Sequence, residues 1–455
     1  MSESTHPYTN SASPYPGLLS TRGLDFNHLE PIHTQVQAWQ TEHGTQVRLV
    51  QTRELPMVDL VLQFNAGSSL DNDIHGVAAL TLHMLDKGTQ TRPASAFAEQ
   101  FEGLGAKLGK YIGLEQTVVS LRSLSATALL DPAIELFTDM LARPVFDELE
   151  LTKVKARLQG HSAAQASSAA SRGRGEAFAH LYAGHPYGTP FGTTPEGIAA
   201  ATPEHLRAFH QRGYSANNLA LTLVGDVSRE AAEGIVEQIC QALPQGWAAA
   251  QLPSPPKVPA RIIHVQHAGA SNAMLLAAPL NALRTQPDYP ALVLASDVFA
   301  TGVESRLMVE LRQRRGLTYH AGGRLLPHKA GGVYTLEWDI DAAYVAASQE
   351  RVEALLRQYL EQGPTEDELQ RARQQLAGQL IRTVSSNQAL AELLADAAQQ
   401  GLPANIASTY LGQLAAVTPA SAREALQQAI DLPRRVLVSV GPIAEQLPLP
   451  EPPDQ

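Results

Sequence analysis

The amino-acid sequence predicts an α+β fold of two homologous domains, each a mostly antiparallel sheet with helices packed on one face. Three observations lead to this prediction. Strand-like and helix-like segments mix without strict alternation, two sequence units recur at a nearly constant offset, and a proline-rich segment separates the two halves. With 455 residues, of which 44 % are hydrophobic, the chain is long and apolar enough for domains of ordinary size.

Four segments of the first half predict regular structure. In chain order, residues 58–64 predict a strand, residues 94–104 a helix, residues 118–122 a strand and residues 132–141 a helix. Such a mixture fits a layer of helices on an antiparallel sheet, rather than the alternating pattern of a parallel α/β fold.

The first repeated unit is a capped helix followed by a short strand that stops at glycine. It runs from Thr202 to Gly225 in the first half and from Thr418 to Gly441 in the second, an offset of 216 residues at both ends. Each threonine precedes a proline, which predicts threonine as the N-cap and proline at the first helical position.

The second repeated unit is a helix. Residues 150–160 correspond to residues 368–378 at an offset of 218, and Leu151, Lys155 and Leu158 share one helical face. Two repeats in the same order with nearly equal offsets indicate a duplicated domain. The predicted division of the chain is an N-terminal flexible arm (1–29), a first domain (30–245), a proline-rich linker (246–259), a second domain (260–447) and a tail (448–455).

Composition excludes several classes of protein. The formal net charge of −11 argues against nucleic acid or an anionic membrane as the main partner. The sequence contains no unbroken run of about 18 apolar residues, so it predicts no transmembrane segment. The first ~30 residues lack the apolar core of a signal peptide. We therefore expect a soluble protein, with a periplasmic and a cytoplasmic location both open. The single cysteine, Cys240, is expected to be a small buried residue of a helix.

A series of short motifs occurs in a defined order along both halves. They are Leu55-Pro56-Met57-Val58, Ala66-Gly67-Ser68, Gly76, Gly88-Thr89, His185-Pro186-Tyr187-Gly188, Phe209-His210, Tyr214, Asn217-Asn218, Gly225-Asp226, Ser305-Arg306-Leu307 and Leu311 to Tyr319. In this order they make the chain, from about Gln35 to Ile443, resemble the pitrilysin/insulinase-type zinc metallopeptidases, which include the mitochondrial processing peptidases.

The resemblance implies that the zinc site of this chain is degenerate. Active members carry H-x-x-E-H on the helix after the glycine that matches Gly76, with two zinc-binding histidines and a glutamate that deprotonates the zinc-bound water. Here Ala79 stands at the first ligand position, Leu82 at the base position and His83 at the second ligand position. The third ligand, a glutamate in active members, corresponds to Gln159. We therefore expect no zinc in this chain and zinc on a partner subunit.

An alternative metal site in the same region stays open from the residues alone. His75, Asp71 and Asp73 precede the helix and could form a rearranged site. The same acidic residues are common in turns and at helix caps, which is the structural interpretation that we favour. His185 to Gly188, with its proline and glycine, is likewise interpreted as a rigid turn rather than as a catalytic motif.

The second half retains a feature that active family members use. In active members, an arginine and a tyrosine seven residues apart on the second domain hold the substrate backbone. Arg312 and Tyr319 match that pair in type and spacing. A fixed cation and a phenol can donate to a peptide carbonyl, most usefully as negative charge develops on its oxygen. The structural alternative is an arginine at a helix end and a tyrosine that begins the next strand.

The resemblance also implies how the chain works. Family members form a clamshell from two halves, and some short-chain members pair a zinc-bearing chain with one that has only the Arg/Tyr pair. We therefore expect an inactive, substrate-binding subunit of a heterodimer that encloses and cleaves peptides or unfolded segments. Its partner would be a homologous subunit with an intact H-x-x-E-H. The alternatives are a non-enzymatic scaffold and a chaperone-like peptide-binding homodimer of the same fold.

Overall fold

The computed structural model describes residues 32–452, so the predicted arm and the last residues of the predicted tail lie outside it. The strands are β1 Gln37–Gln40, β2 Gln46–Gln51, β3 Met57–Phe64, β4 Lys107–Ile112, β5 Thr117–Leu124, β6 Leu219–Gly225, β7 Arg261–Gln266, β8 Ser271–Leu280, β9 Ala321–Leu326, β10 Gly332–Asp341 and β11 Val436–Gly441.

The helices of the first half are α1 Val77–Met84, α2 Ala94–Gly103, α3 Thr127–Ala142, α4 Glu148–Ser167, α5 Ala169–Leu181, α6 Pro195–Ala200, α7 Pro203–Gly213 and α8 Arg229–Ala242. Those of the second half are α9 Tyr289–Ala300, α10 Arg306–Met308, α11 Val345–Gln362, α12 Glu366–Val384, α13 Asn387–Gln399, α14 Ile406–Ala415 and α15 Pro419–Ala429. A π-helical segment, Val309–Arg314, continues α10. No helix within residues 32–452 is long and apolar enough to cross a membrane.

Apart from the additional edge strand β1, the two sheets have the same strand order, which confirms the predicted α+β fold of two homologous domains. The first sheet is ordered β1-β2-β6-β3-β5-β4 and the second β7-β11-β8-β10-β9. Each contains one parallel pair, β2 with β6 and β7 with β11, and all other neighbours are antiparallel. The duplicated helices start as predicted, because Thr202 and Thr418 each cap their helix through the side-chain oxygen.

One helix differs from its prediction. Residues 132–141 were expected to begin a helix at Pro132, but α3 begins at Thr127 and includes that proline. Proline inside a helix removes one backbone hydrogen bond. The apolar face that contains Leu130, Ile134 and Phe137 is buried in the first hydrophobic core, and this burial offsets the lost hydrogen bond.

Most helices of each half pack on the sheet of their own half. One helix from each half, α5 and α13, packs instead on the sheet of the other half. Helix α5 packs on β8 and β11, where Phe178 joins Val438 in a shared apolar cluster. Helix α13 packs in the same way on β3 and β6, with Leu394 against Val224. Arg48 of β2 donates to the Leu394 carbonyl at 3.0 Å, which adds a polar contact between the halves.

The His185–Gly188 turn lies at the junction of the two halves. The Tyr187 hydroxyl donates to the carboxylate of Glu115, in the turn between β4 and β5, and accepts from the backbone N–H of Ala330, between β9 and β10. Nε2 of His185 lies 2.8 Å from the carbonyl oxygen of Pro253 in the linker segment. The turn therefore has a structural role here, since it joins both halves and the linker.

Candidate functional site

Asp71 shapes the start of helix α1, on which the degenerate zinc motif lies. Its carboxylate accepts hydrogen bonds from the backbone N–H groups of Gly76 at 2.7 Å and Ala78 at 2.6 Å. Gly76 has φ 124°, a left-handed conformation that favours glycine. Burial raises the pKa of Asp71 to about 7, and the two N–H groups oppose that rise. Asp71 therefore acts as a helix cap.

The residues at the zinc positions do not fit a zinc ion. Ala79 is 4 % exposed and Leu82 is fully buried in the apolar core, so neither offers a ligand atom. His83 is half-buried on α1, and Gln159 is exposed on α4, which packs against α1. No group of three or more His, Cys, Asp or Glu side chains within residues 32–452 could hold a metal ion. One imidazole and one neutral amide fall short of the three ligands of a catalytic zinc site.

The electrostatic surroundings of His83 also disfavour a cation. Burial and, to a smaller extent, the positive charges of Lys110 and Arg157 together lower the pKa of His83 from its ordinary 6.5 to about 4. Lys110, on the outer strand β4, is paired with Asp86 at 2.8 Å. The imidazole is therefore neutral at neutral pH, and among the charged groups that act on it Lys110 and Arg157 outweigh Asp86, which disfavours an added metal ion.

Arg312 and Tyr319 lie together at one end of the second sheet. Arg312 belongs to the π-helical segment after α10, and Tyr319 precedes β9 with 90 % of its surface exposed. Nη1 of Arg312 donates to the Tyr319 carbonyl at 3.4 Å, and the guanidinium carbon lies 6.0 Å from the centre of the tyrosine ring. Both side chains are free to contact a ligand, as groups that hold a peptide would need to be.

Glu310 holds the segment that presents Arg312, and sequence reasoning missed it. The residue is 3 % exposed, and its carboxylate accepts hydrogen bonds from Nε of Arg315 at 2.8 Å and Nε of Arg351 at 2.7 Å. Burial alone would raise the pKa of Glu310, but these two arginines hold it below its usual range. A carboxylate within the apolar stretch from Leu307 to Leu311 was the signal that could have revealed it.

A cleft of about 410 Å³ adjoins the pair and runs along β9. It is lined by Arg312, Tyr319, Gly322, Arg324 and Glu337 together with neighbouring residues of α9 and the turn after it. β9 is the outermost strand of the second sheet, and no other strand within residues 32–452 pairs with its free edge. Unpaired N–H and C=O groups on such an edge can bind an extended peptide as an added strand.

Gly323 is required by the packing of β9 on α9. A Cβ atom at this position would lie only 2.7 Å from the Cβ of Ala300 and from the Leu336 side chain. At Gly322, on the opposite face, a Cβ atom would meet its nearest neighbour at 3.5 Å, an ordinary contact. Gly323 thus lets β9 pack closely on α9, and Gly322 leaves the opposite face of the strand without a side chain beside Arg312 and Tyr319.

Comparison with known proteins identifies the fold and family. A model described as insulinase (peptidase family M16) matches residues 46–193, and one described as peptidase M16 inactive domain matches residues 200–376. A crystal structure from Pseudomonas fluorescens, described as a peptidase M16 inactive domain, is 34 % identical and covers 91 % of this chain and 100 % of that chain, with a TM-score of 0.88. The chain belongs to the M16 (insulinase) peptidase family. This confirms the family resemblance carried by the motifs.

More distant M16 relatives carry different descriptions. An uncharacterized zinc protease of Rickettsia felis is 25 % identical over 342 residues, 73 % of this chain and 80 % of the relative. A non-peptidase homolog of Helicobacter pylori is 24 % identical over 368 residues, 79 % of this chain and 83 % of the relative. A probable mitochondrial-processing peptidase subunit beta of Arabidopsis thaliana is 26 % identical over 237 residues, 50 % of this chain and 41 % of the relative.

Proposed function

We propose that this M16 chain is the substrate-binding, non-zinc-binding subunit of a heterodimeric zinc metalloendopeptidase that encloses and cleaves peptides or unfolded segments. One observation carries the proposal. Arg312 and Tyr319 are exposed beside a cleft on the open edge of β9, while the zinc positions of the same chain hold Ala79, Leu82 and Gln159. A chain arranged in this way can hold a peptide but has no means of activating water.

In the proposed complex, an extended peptide pairs with the free edge of β9. The guanidinium of Arg312 and the hydroxyl of Tyr319 donate to a peptide carbonyl, and their contribution grows as negative charge develops on its oxygen. The zinc ion of the partner subunit supplies the activated water. The two chains then form the two halves of a clamshell around the substrate.

The names of two relatives bear on the choice between this function and its alternatives. The Arabidopsis relative is named as a subunit of a processing peptidase, which supports a role in a multisubunit enzyme. The Helicobacter relative is named as a non-peptidase homolog, which suits a non-enzymatic scaffold or a chaperone-like peptide-binding protein equally well. The exposed Arg312 and Tyr319 favour the peptidase subunit over the scaffold, because a scaffold does not need a pair of donors at an open strand edge.

The test of this function combines metal analysis with reconstitution. The isolated chain should contain no stoichiometric zinc and should not cleave a quenched-fluorescent peptide. Mixed with a homologous chain that carries H-x-x-E-H, it should form a stoichiometric complex that cleaves the peptide faster than the zinc-bearing chain alone. Tight stoichiometric zinc in the isolated chain would contradict the proposal. A complex no more active than its zinc-bearing member would favour the scaffold.

A further inference from the structure

The cleft beside Arg312 carries a local excess of positive charge, although the chain has a formal net charge of −11. Among its described lining residues, Glu337 is the only carboxylate, and Glu337 is already paired with Arg174 of α5 at 2.8 Å. Arg312 and Arg324 form no ion pair with any residue of the described range 32–452. Two guanidinium groups therefore face the cleft without a compensating carboxylate.

The strand register places the side chain of Arg324. On β10, Thr335 lies opposite Arg324 and Glu337 lies opposite Gly322. Because side chains alternate along a strand, Arg324 and Gly322 project on the same face of the sheet as Glu337. This is the face covered by α5, as the Arg174–Glu337 ion pair shows. Arg324 thus lies on the peptide-accessible edge strand, next to a position without a side chain.

A peptide that pairs with the free edge of β9 brings one of its residues directly opposite Arg324. Cβ atoms of directly opposed residues on neighbouring strands lie roughly 4.5–5.5 Å apart, which is within reach of an arginine and a carboxylate. The planar guanidinium matches the two oxygens of a carboxylate and can bind both. A lysine of the peptide at this position would meet an unpaired like charge.

We infer that the cleft selects peptides that carry an aspartate or glutamate at the position paired with Arg324. The inference rests on the proposed function, because it specifies the substrate class of the same site. The preference for an acidic residue applies only to the peptide position near Arg324, at one end of β9. At the other end, Asp339 is exposed on the same face as Glu337, and its backbone N–H donates to the carbonyl of His320 at 3.4 Å. A second acidic side chain there would be repelled.

Binding of short fluorescent peptides to the full-length chain tests the inference. The peptides consist of Ser, Thr and Val with a single Glu, Gln or Lys at successive positions, and fluorescence anisotropy measures their affinity. At one position the wild-type chain should bind the Glu peptide roughly 5-fold more tightly than the Gln peptide, as for a partly exposed ion pair. Added salt should reduce this ratio.

Charge variants locate the preference at Arg324. Arg324→Gln should abolish it, and Arg324→Glu should reverse it in favour of the Lys peptide. Arg212→Gln, which changes an exposed arginine on α7 of the first half, is the matched control and should keep the wild-type ratio. Tyr319→Phe should lower the affinity for all three peptides by the same factor.

The outcomes separate this inference from the proposed function. If the chain binds all three peptides equally at every position, or if Arg324→Glu still prefers the Glu peptide, the acidic preference is overturned while peptide binding stands. If the chain binds no peptide, either alone or in a complex with a zinc-bearing homologue, both the inference and the proposed function are overturned.

Discussion

The guanidinium of Arg312 donates to the backbone carbonyl of Tyr319, at 3.4 Å, and not to its phenol. The tyrosine hydroxyl is therefore available to a ligand, and the residue is 90 % exposed. Since Arg312 depends on the backbone of Tyr319 rather than on its hydroxyl, the two donors can be removed separately.

The first prediction concerns this pair. In the complex with a zinc-bearing partner, Tyr319→Phe should lower peptide cleavage ~100- to 1,000-fold, the usual cost of losing one donor to the developing oxyanion. Arg312→Ala should act in the same direction, and subunit stoichiometry should be unchanged in both variants. A fall in kcat would show that the contact strengthens in the transition state, whereas a rise in KM alone would show that it only holds substrate. Wild-type rates in both variants would make the pair structural.

The second prediction assigns Glu310 as a positioning residue. Glu310→Gln weakens the hydrogen bonds to Arg315 and Arg351 and should lower the free energy of unfolding by about 1–3 kcal/mol. It should also lower peptide cleavage, because the segment that carries Arg312 loses its anchor. Urea unfolding and steady-state kinetics of the complex measure the two effects.

A matched control exists for Glu310. Glu353 on α11 is 7 % exposed and binds Arg435 through two hydrogen bonds at 2.7 and 2.8 Å, outside the cleft. Glu353→Gln should cost similar stability and leave kcat and KM unchanged. Equal kinetic losses in both variants would mean that Glu310 acts only through overall stability.

The third prediction tests the register of the degenerate zinc motif. Arg157 and His161 flank Gln159 on α4, and both act electrostatically on His83, which places this part of α4 near the imidazole. Ala79→His with Gln159→Glu should therefore create three zinc ligands and bind zinc. Adding Leu82→Glu places a carboxylate in the apolar core, so without metal the triple variant should be less stable by several kcal/mol.

Metal analysis measures the zinc content of the double and triple variants, and thermal unfolding with and without zinc measures its effect on their stability. Zinc should raise the unfolding temperature of both variants, since it binds only the folded form. A folded double variant without zinc would show that Ala79, His83 and Gln159 do not converge.

The fourth prediction is a pH dependence that originates at His83. Its pKa of about 4 in the folded chain lies below the ordinary 6.5, so the fold favours the neutral imidazole. The stability that this provides is fully present above pH 6.5 and is lost as the pH falls towards 4. Relative to His83→Gln, the wild-type chain should lose about 2 kcal/mol of unfolding free energy between pH 7 and pH 4, which is less than the ~3 kcal/mol of the full pKa difference because the ring is partly exposed to solvent. A constant difference across that range would show that His83 titrates normally.

Local signals accounted for much of the fold. The threonine caps, the strand that stops at glycine and the repeated helix pattern lie within short stretches of sequence, so the duplication could be predicted from the two repeated units together. The Arg/Tyr pair was also predictable, because its members are seven residues apart in one segment. The structure places them beside one cleft, and their role in binding stays a prediction.

Contacts between distant residues could not be predicted. The sequence of α5 is mostly small and polar, and nothing in it indicates that Phe178 packs on a sheet formed by residues 261–441. The partner of Tyr187 is Glu115, 72 residues away, so the His185–Gly188 turn looked isolated. Glu310 was missed for the same reason, since Arg351 lies 41 residues further along the chain.

Helix α5 of the first half packs on the second sheet, and helix α13 of the second half packs on the first sheet. This arrangement affects the order in which the chain can fold during synthesis. Strand β11, on which α5 packs, consists of residues 436–441, so it is synthesised more than 250 residues after α5 ends at Leu181. The face of the first sheet that α13 covers likewise stays exposed until α13, which begins at residue 387, has been synthesised. Domains usually fold in order as they emerge. Here neither half can complete its burial before segments of the other half have been synthesised, so the apolar surfaces of α5 and of the first sheet stay uncovered in the nascent chain until then.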